Sequence, residues 1–430
     1  MFVLSMGLMG VAALIPAGRF QMVQAEKSDS SSALGRAAYR SVRLRGMLDP
    51  DAWLNFDDKT WPNPANAWED VDAPTQPLFL TSPVEGGNSI CIDPWFIAQN
   101  ANSPDYAGNL APLGVFPLLV ANDPPHPPDV TAVVQRTNIP RMQRVTLRAF
   151  AGAVAMTAPL AAHLFTWQDD LLFDVPENTD LRPLQRFARD SANNDRAFRR
   201  EYSGDYSWIL TVTPSVGETG SANGRSYDTA VVVFYKRNLV APPPGETYAQ
   251  RGGNAPAERM VFCDFINGPL KFGGGEVRLR LPMEHDETFE NSPELSDMPP
   301  LVAGSWIMLA GFVNDQSSNT DAFVEHDQDA STDPQLRNLG RRAVFRWYRV
   351  VSLDEPTFHE DESDHNNDGW RRNVTLAGPD WTPDYNPPQG APMFQPFIDA
   401  DGTNVTGYTC HAALFTNVVG VFEKTIEFDE

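Results

Sequence analysis

The sequence predicts an α+β chain: a long N-terminal helix followed by a large, mainly antiparallel β domain with long loops. Three observations carry that expectation. The chain opens without a charge as far as Arg19 and then keeps helical spacing to about residue 48. Eight later segments are rich in β-branched and aromatic residues and bounded by turn formers. The 37 prolines and 30 glycines among 430 residues cut the rest of the chain into short pieces, which favours strands and loops over further long helices.

As a helix, "MFVLSMGLMGVAALIPAG" spans about 27 Å, just under the ~30 Å hydrocarbon core of a bilayer. No proline falls between Phe20 and Leu48, and apolar or small residues recur at Phe20, Val23, Leu34, Ala37, Ala38 and Val42. Arg36, Arg40 and Arg43 form a separate basic stripe, so the apolar run continues into an amphipathic helix that ends near Gly46, with Asp49-Pro50 as the stop. Pro16 kinks this helix without ending it. A signal peptide cleaved at Val23-Gln24-Ala25 is the alternative, though the basic start of such a peptide is missing.

From Pro50 to about Val134 the chain reads as loop, with "WPNPANAWEDVDAPTQP" and "NDPPHPPDV" richest in proline. Strand signals follow at 143–150, 206–214, 228–238, 276–283, 304–313, 342–353, 371–378 and 418–428. In "VRLRL", Val277, Leu279 and Leu281 fall on one face and Arg278 and Arg280 on the other, the mark of a half-buried strand. Short helices are expected in "MTAPLAAHLF" and on either side of Asn193-Asn194 within 179–203. Residues 49–430 thus form an acidic β-rich body, either one unit or two divided near 290–300.

The formal charge of −23 works against nucleic-acid partners, because phosphates repel such a surface. Residues 1–48 carry six basic and two acidic side chains, a net of +4, so the remainder carries −27. Cys91, Cys263 and Cys410 show no metal-type spacing. One disulfide with a free thiol and three buried thiols both fit.

An apolar-to-amphipathic N-terminal helix ahead of an acidic, proline-rich β body resembles a type IV pilin or pseudopilin. The wording "MFVLSMGLMGVAALIPAG" is similar to the middle of the N-terminal helix of PilV-like minor pilins. Relative to that family the chain starts inside the helix, without the basic leader and the Phe-Thr-Leu-x-Glu opening. The resemblance covers about the first 48 residues. It implies a structural subunit with a single-pass transmembrane helix in the bacterial inner membrane, a periplasmic or extracellular head, and other pilin or pseudopilin subunits as partners in a pilus or secretion filament. Gly7 and Gly10 suit that use, since small residues let helix backbones approach within lipid.

One short motif bears on chemistry. "DHNNDG" spaces Asp364, Asn366 and Asp368 as alternate inward oxygen ligands of a tight loop, with Gly369 permitting the turn, and these are candidate calcium ligands. The bidentate glutamate of a complete calcium hand is replaced by Thr375. The acidic runs "VEHDQDASTD" and "DADGTN" read as solvated loops. There is no HExxH, GxSxG or phosphate-binding loop, so the sequence points away from an enzyme. The expected function is a pilin-like structural subunit; an exported β-rich binding protein, contacting carbohydrate through surface tryptophans, is the alternative.

Overall fold

A computed structural model describes residues 2–49, 52–56, 68–70, 89–100, 115–117, 142–148, 156–167, 171–173, 200–202, 205–214, 225–237, 258–266, 270, 272–282, 300–312, 343–359, 369–381, 397–398, 404–405 and 410–428.

Helix α1 runs Phe2–Leu44 with Pro16 inside it. It ends in a Schellman motif. Gly46 takes a left-handed φ of 62°, its amide donates to the Arg43 carbonyl, and the Met47 amide reaches back to the Val42 carbonyl at 3.0 Å. Only glycine adopts that φ without strain, and Met47 is then turned inward and buried.

Two sheets follow. The first contains β1 (Trp53–Phe56), β2 (Trp68–Asp70), β3 (Ile90–Ile92), β4 (Val115–Phe116), β5 (Met142–Leu147), β8 (Tyr206–Pro214), β9 (Arg225–Tyr235) and β19 (Val418–Phe428). Its order is β19-β9-β8-β3-β5-β1-β2, with β4 on β5 and one parallel pair, β3 with β5. Helices α2 (Pro94–Asn100) and α3 (Ala158–Phe165) lie alongside it. The strand pair β6 (Leu171–Phe173) and β7 (Arg200–Tyr202) stands apart.

The second sheet closes on itself. Its strands are β10 (Glu258–Phe265), β11 (Gly274–Pro282), β12 (Trp306–Phe312), β13 (Ala343–Leu353), β15 (Gly369–Ala377) and β18 (Cys410–Phe415), in the order β11-β10-β18-β12-β13-β15. The circle is completed by β11 pairing β15 from Gly274↔Ala377 to Pro282↔Gly369. All six pairings are antiparallel. Short strands β14 (Thr357–His359), β16 (Phe397–Ile398) and β17 (Asn404–Val405) complete the described elements; β14 hangs on β15 and the last two pair together.

Alternation along the strands assigns every layer. In the barrel, Val277, Leu279, Ile307, Leu309, Val374 and Leu376 point inward and fill it, as expected for a closed sheet of few strands. Outward-facing Met260, Met308, Trp347 and Phe415 meet Ile209, Val232 and Phe234 of the first sheet. The opposite face of that sheet, with Trp208, Leu210, Val231 and Val233, receives α1. The core is therefore two apolar layers separated by one sheet, plus the barrel's own interior.

The expected class, α+β with a pilin-like helix ahead of a mainly antiparallel head, is corrected by this arrangement. The fold is mainly β, and its organising feature is a closed six-stranded barrel with a second sheet packed against it. Closure is a long-range property: β11 and β15 each read locally as an ordinary strand, and nothing in either segment says that they pair. Two barrel strands had no sequence signal. "ERMVFCDF" mixes charge into its apolar run, and "CHAALF" is rich in alanine, which disfavours strands in isolation. Burial between neighbours overrides both. Segments β1 to β4 and α2 also form within the stretch read as loop, and Arg200–Tyr202, read as part of a helical stretch, is a strand. Strands β11 and β12, on either side of 290–300, belong to the same barrel.

Candidate functional site

The first candidate is α1 and its seam on the sheet. Leu34, Ala38 and Val42 recur every fourth residue and are buried, while Arg36, Arg40 and Arg43 face solvent. Burying side chains of Leu or Val size contributes about 1.5–3 kcal/mol each. Two glycines set the closeness of the seam. A Cβ on Gly35 would run into the Phe422 ring, and one on Gly420 would stand 2.9 Å from the Ser31 hydroxyl oxygen. The Tyr39 hydroxyl donates to the backbone carbonyls of Thr229 at 2.9 Å and Phe422 at 2.8 Å. Burial pushes its pKa up, so the donor proton is retained.

Beyond the seam the helix is bare. Every residue from Gly18 to Glu26 is exposed, including Phe20 at 65 %, Met22 at 71 % and Val23 at 47 %. One turn earlier Ile15 is 58 % exposed. Among the described residues no helix is long and apolar enough to cross a membrane.

The second candidate is a buried charge network where the sheet meets the barrel. Arg237, just after β9, grips Asp93 with two hydrogen bonds, 2.9 Å to Oδ1 and 2.6 Å to Oδ2. Arg144 of β5 reaches the same Asp93 at 3.2 Å and Glu258 of the barrel at 2.6 Å. Arg237 also lies 3.7 Å from Glu258. The Phe96 ring covers the Arg144 guanidinium at 3.9 Å, and Phe234 covers Arg237 at 4.8 Å. All four charged side chains are at most 3 % exposed. Burial alone would raise the Asp93 carboxyl, but the Arg237 and Arg144 guanidiniums outweigh it and hold the group below the usual carboxylate range. Arg237 is raised in turn. With two guanidiniums tied to two carboxyl groups, the network joins the two sheets, and the shifts of Asp93 and Arg237 both favour their charged forms. Its members are scattered from residue 93 to 258, and no local pattern in the sequence gathers them.

The third is a cleft of about 210 Å³ at the rim of the sheet–barrel junction. The barrel-facing side of the sheet turns polar there: the register rows Thr213–Asp228–Thr425 and Thr211–Ala230–Glu423 continue it beyond the apolar contact. Thr425 donates to Asp228 Oδ1 at 2.9 Å. Opposite stands β13, at residues past its last β15 partner, Arg349↔Ala377. Glu423 keeps part of its surface in water, yet desolvation by the walls raises its carboxyl above the ordinary range. The Trp347 backbone bonds it and Arg346 lies near, and both oppose the rise. Among the described residues β19 is the end strand of its sheet, and a carboxylate on an edge strand opposes addition of another strand.

The sequence-based metal ligands Asp364, Asn366 and Asp368 lie outside the described residues. Among the described residues no group of three or more His, Cys, Asp or Glu side chains is gathered to hold a metal. All three cysteines are buried and free. Compared with known proteins, the chain matches no family model, no curated protein and no solved structure.

Proposed function

We propose that this chain is a structural subunit that assembles through its N-terminal helix, in the manner of type IV pilins and type II secretion pseudopilins. Other copies or related subunits are its partners, and the bacterial inner membrane holds it before assembly. One observation supports the reading: α1 is clamped to the sheet from Ser31 to Met47 and stands bare from Gly18 to Glu26, with Phe20, Met22 and Val23 in solvent. A helical stretch exposed on every side gains little in water by itself, so this one calls for a neighbour. Side-by-side helix packing suits it, while the β body presents surface to partners. The charge of −23 fits a soluble exposed body.

The test uses the full-length chain in mild detergent, with sedimentation velocity and chemical cross-linking. The wild type is expected to form higher-order species. A Phe20→Lys, Val23→Lys double variant is expected to sediment as a single copy with unchanged unfolding, since both positions lie beyond the seam. A wild type that stays a single copy in detergent, and gives no cross-linked ladder in cells producing it, overturns the reading.

A further inference from the structure

Two of the three cysteines face one another. Cys263 in β10 and Cys410 at the head of β18 are register partners on adjacent antiparallel strands. Both belong to the cluster that fills the barrel, and the Cys410 thiol donates to the Cys263 carbonyl oxygen at 3.6 Å. Directly opposed residues of an antiparallel pair hold their Cα atoms about 4.5–5.5 Å apart, within the roughly 4.4–6.8 Å that a disulfide bridges. Cys91 lies elsewhere, in β3 of the first sheet among the residues that contact the outside of the barrel.

We propose that Cys263 and Cys410 form a disulfide across the barrel wall, made by a disulfide-bearing oxidant while the barrel is still open, and that Cys91 remains a thiol. The Cys410 thiolate attacks one sulfur of the oxidant, forming a mixed disulfide and expelling one thiolate. The Cys263 thiolate then attacks the Cys410 sulfur; the new S–S bond forms and the second thiolate leaves. The two cysteine protons end on the expelled thiolates, and the two electrons lost by the cysteines reduce the oxidant to two thiols.

Timing follows from burial. In the closed barrel Cys263 is 0 % and Cys410 4 % exposed, out of an oxidant's reach. Burial, with the Cys410 thiol adding to it, pushes the Cys263 pKa well above its ordinary value, so the nucleophilic thiolate is scarce once folding is complete. The bond joins positions 147 residues apart, and a loop of that length strongly restricts the unfolded chain. It ties β10 to β18, the two barrel strands whose own sequences signal strand least.

The experiment refolds the reduced full-length chain in mixed reduced and oxidised glutathione, then unfolds and alkylates it without reduction and maps the digest by mass. The expected result is one species joining the Cys263 and Cys410 peptides, lighter than their sum by two hydrogens, with the alkyl group on Cys91 alone. Cys91→Ala retains this cross-link and Cys410→Ala abolishes it. The same map on chain purified from an oxidising bacterial periplasm reads the pair without refolding. Three alkylated cysteines in that protein, or a cross-link that includes Cys91, overturns the proposal.

Discussion

The Tyr39 hydroxyl sits 2.8 Å from the carbonyl oxygen of Phe422 and so joins the C-terminal part of α1 to the backbone of the last long strand. Its second acceptor, the Thr229 carbonyl at 2.9 Å, lies on the neighbouring strand, and one proton is shared between them. Tyr39→Phe keeps the ring and removes the donor, leaving two carbonyls without it. The expected cost is about 1–2 kcal/mol, read as a lower denaturant midpoint with faster amide exchange in residues 31–47. An unchanged midpoint means that water replaces the hydroxyl at no cost.

Gly35→Ala separates packing from propensity. In an exposed helix the change stabilises by about 1 kcal/mol, whereas the new methyl here meets the Phe422 ring. Overpacking of this kind costs about 1–3 kcal/mol. Thermal unfolding should show a net loss, and adding Phe422→Leu should recover part of it. A stabilised Gly35→Ala protein contradicts the tight seam.

Arg237→Ala leaves Asp93 buried with one guanidinium instead of two, and breaking such a pair costs about 3–5 kcal/mol. The pH dependence has a definite sign. Asp93 is lowered in the folded chain, so its stabilisation is present above the unfolded carboxylate pKa of about 4 and is lost as pH falls through the folded value. Urea titrations between pH 5 and pH 3 should show a shallower acid loss in the variant than in the wild type.

Asp264 gives the opposite sign. Burial raises its carboxyl to about 6 against the pull of Arg280, Arg278 and Arg371. A raised group stabilises the fold below its unfolded pKa, and that contribution disappears as pH rises through about 6. The wild type should therefore gain stability relative to Asp264→Asn on going from pH 7 to pH 5. Parallel stability curves for the two proteins over that interval rule the effect out.

Local chemistry made much of the strand layout legible. "YSWILTVTP", "VVGVFEKTIEF" and, as far as Tyr235, "DTAVVVFYKRN" are strands because β-branched and aromatic side chains suit a pleated surface. The inward set Val277, Leu279 and Leu281 was readable from alternation along its strand. The candidate sites were less so. Gly35, Tyr39 and Phe422 meet only after the chain has returned from its far end, and Asp93, Arg144, Arg237 and Glu258 carry no spacing that announces a cluster. The calcium-type loop at Asp364, Asn366 and Asp368 was readable as a motif and lies outside the described residues.

By itself, then, the sequence determined where most long strands run, where the first helix stops and which of its faces is basic, because those depend on side-chain period and on one residue, Gly46, with access to a left-handed φ. Only the tertiary structure decided that six strands close into a barrel, that "CHAALF" is one of them, that one sheet is buried on both sides, and that four distant charges meet in one buried network. Those outcomes depend on which surfaces exclude water from each other, and burial acts between segments that are neighbours in space and strangers in the chain.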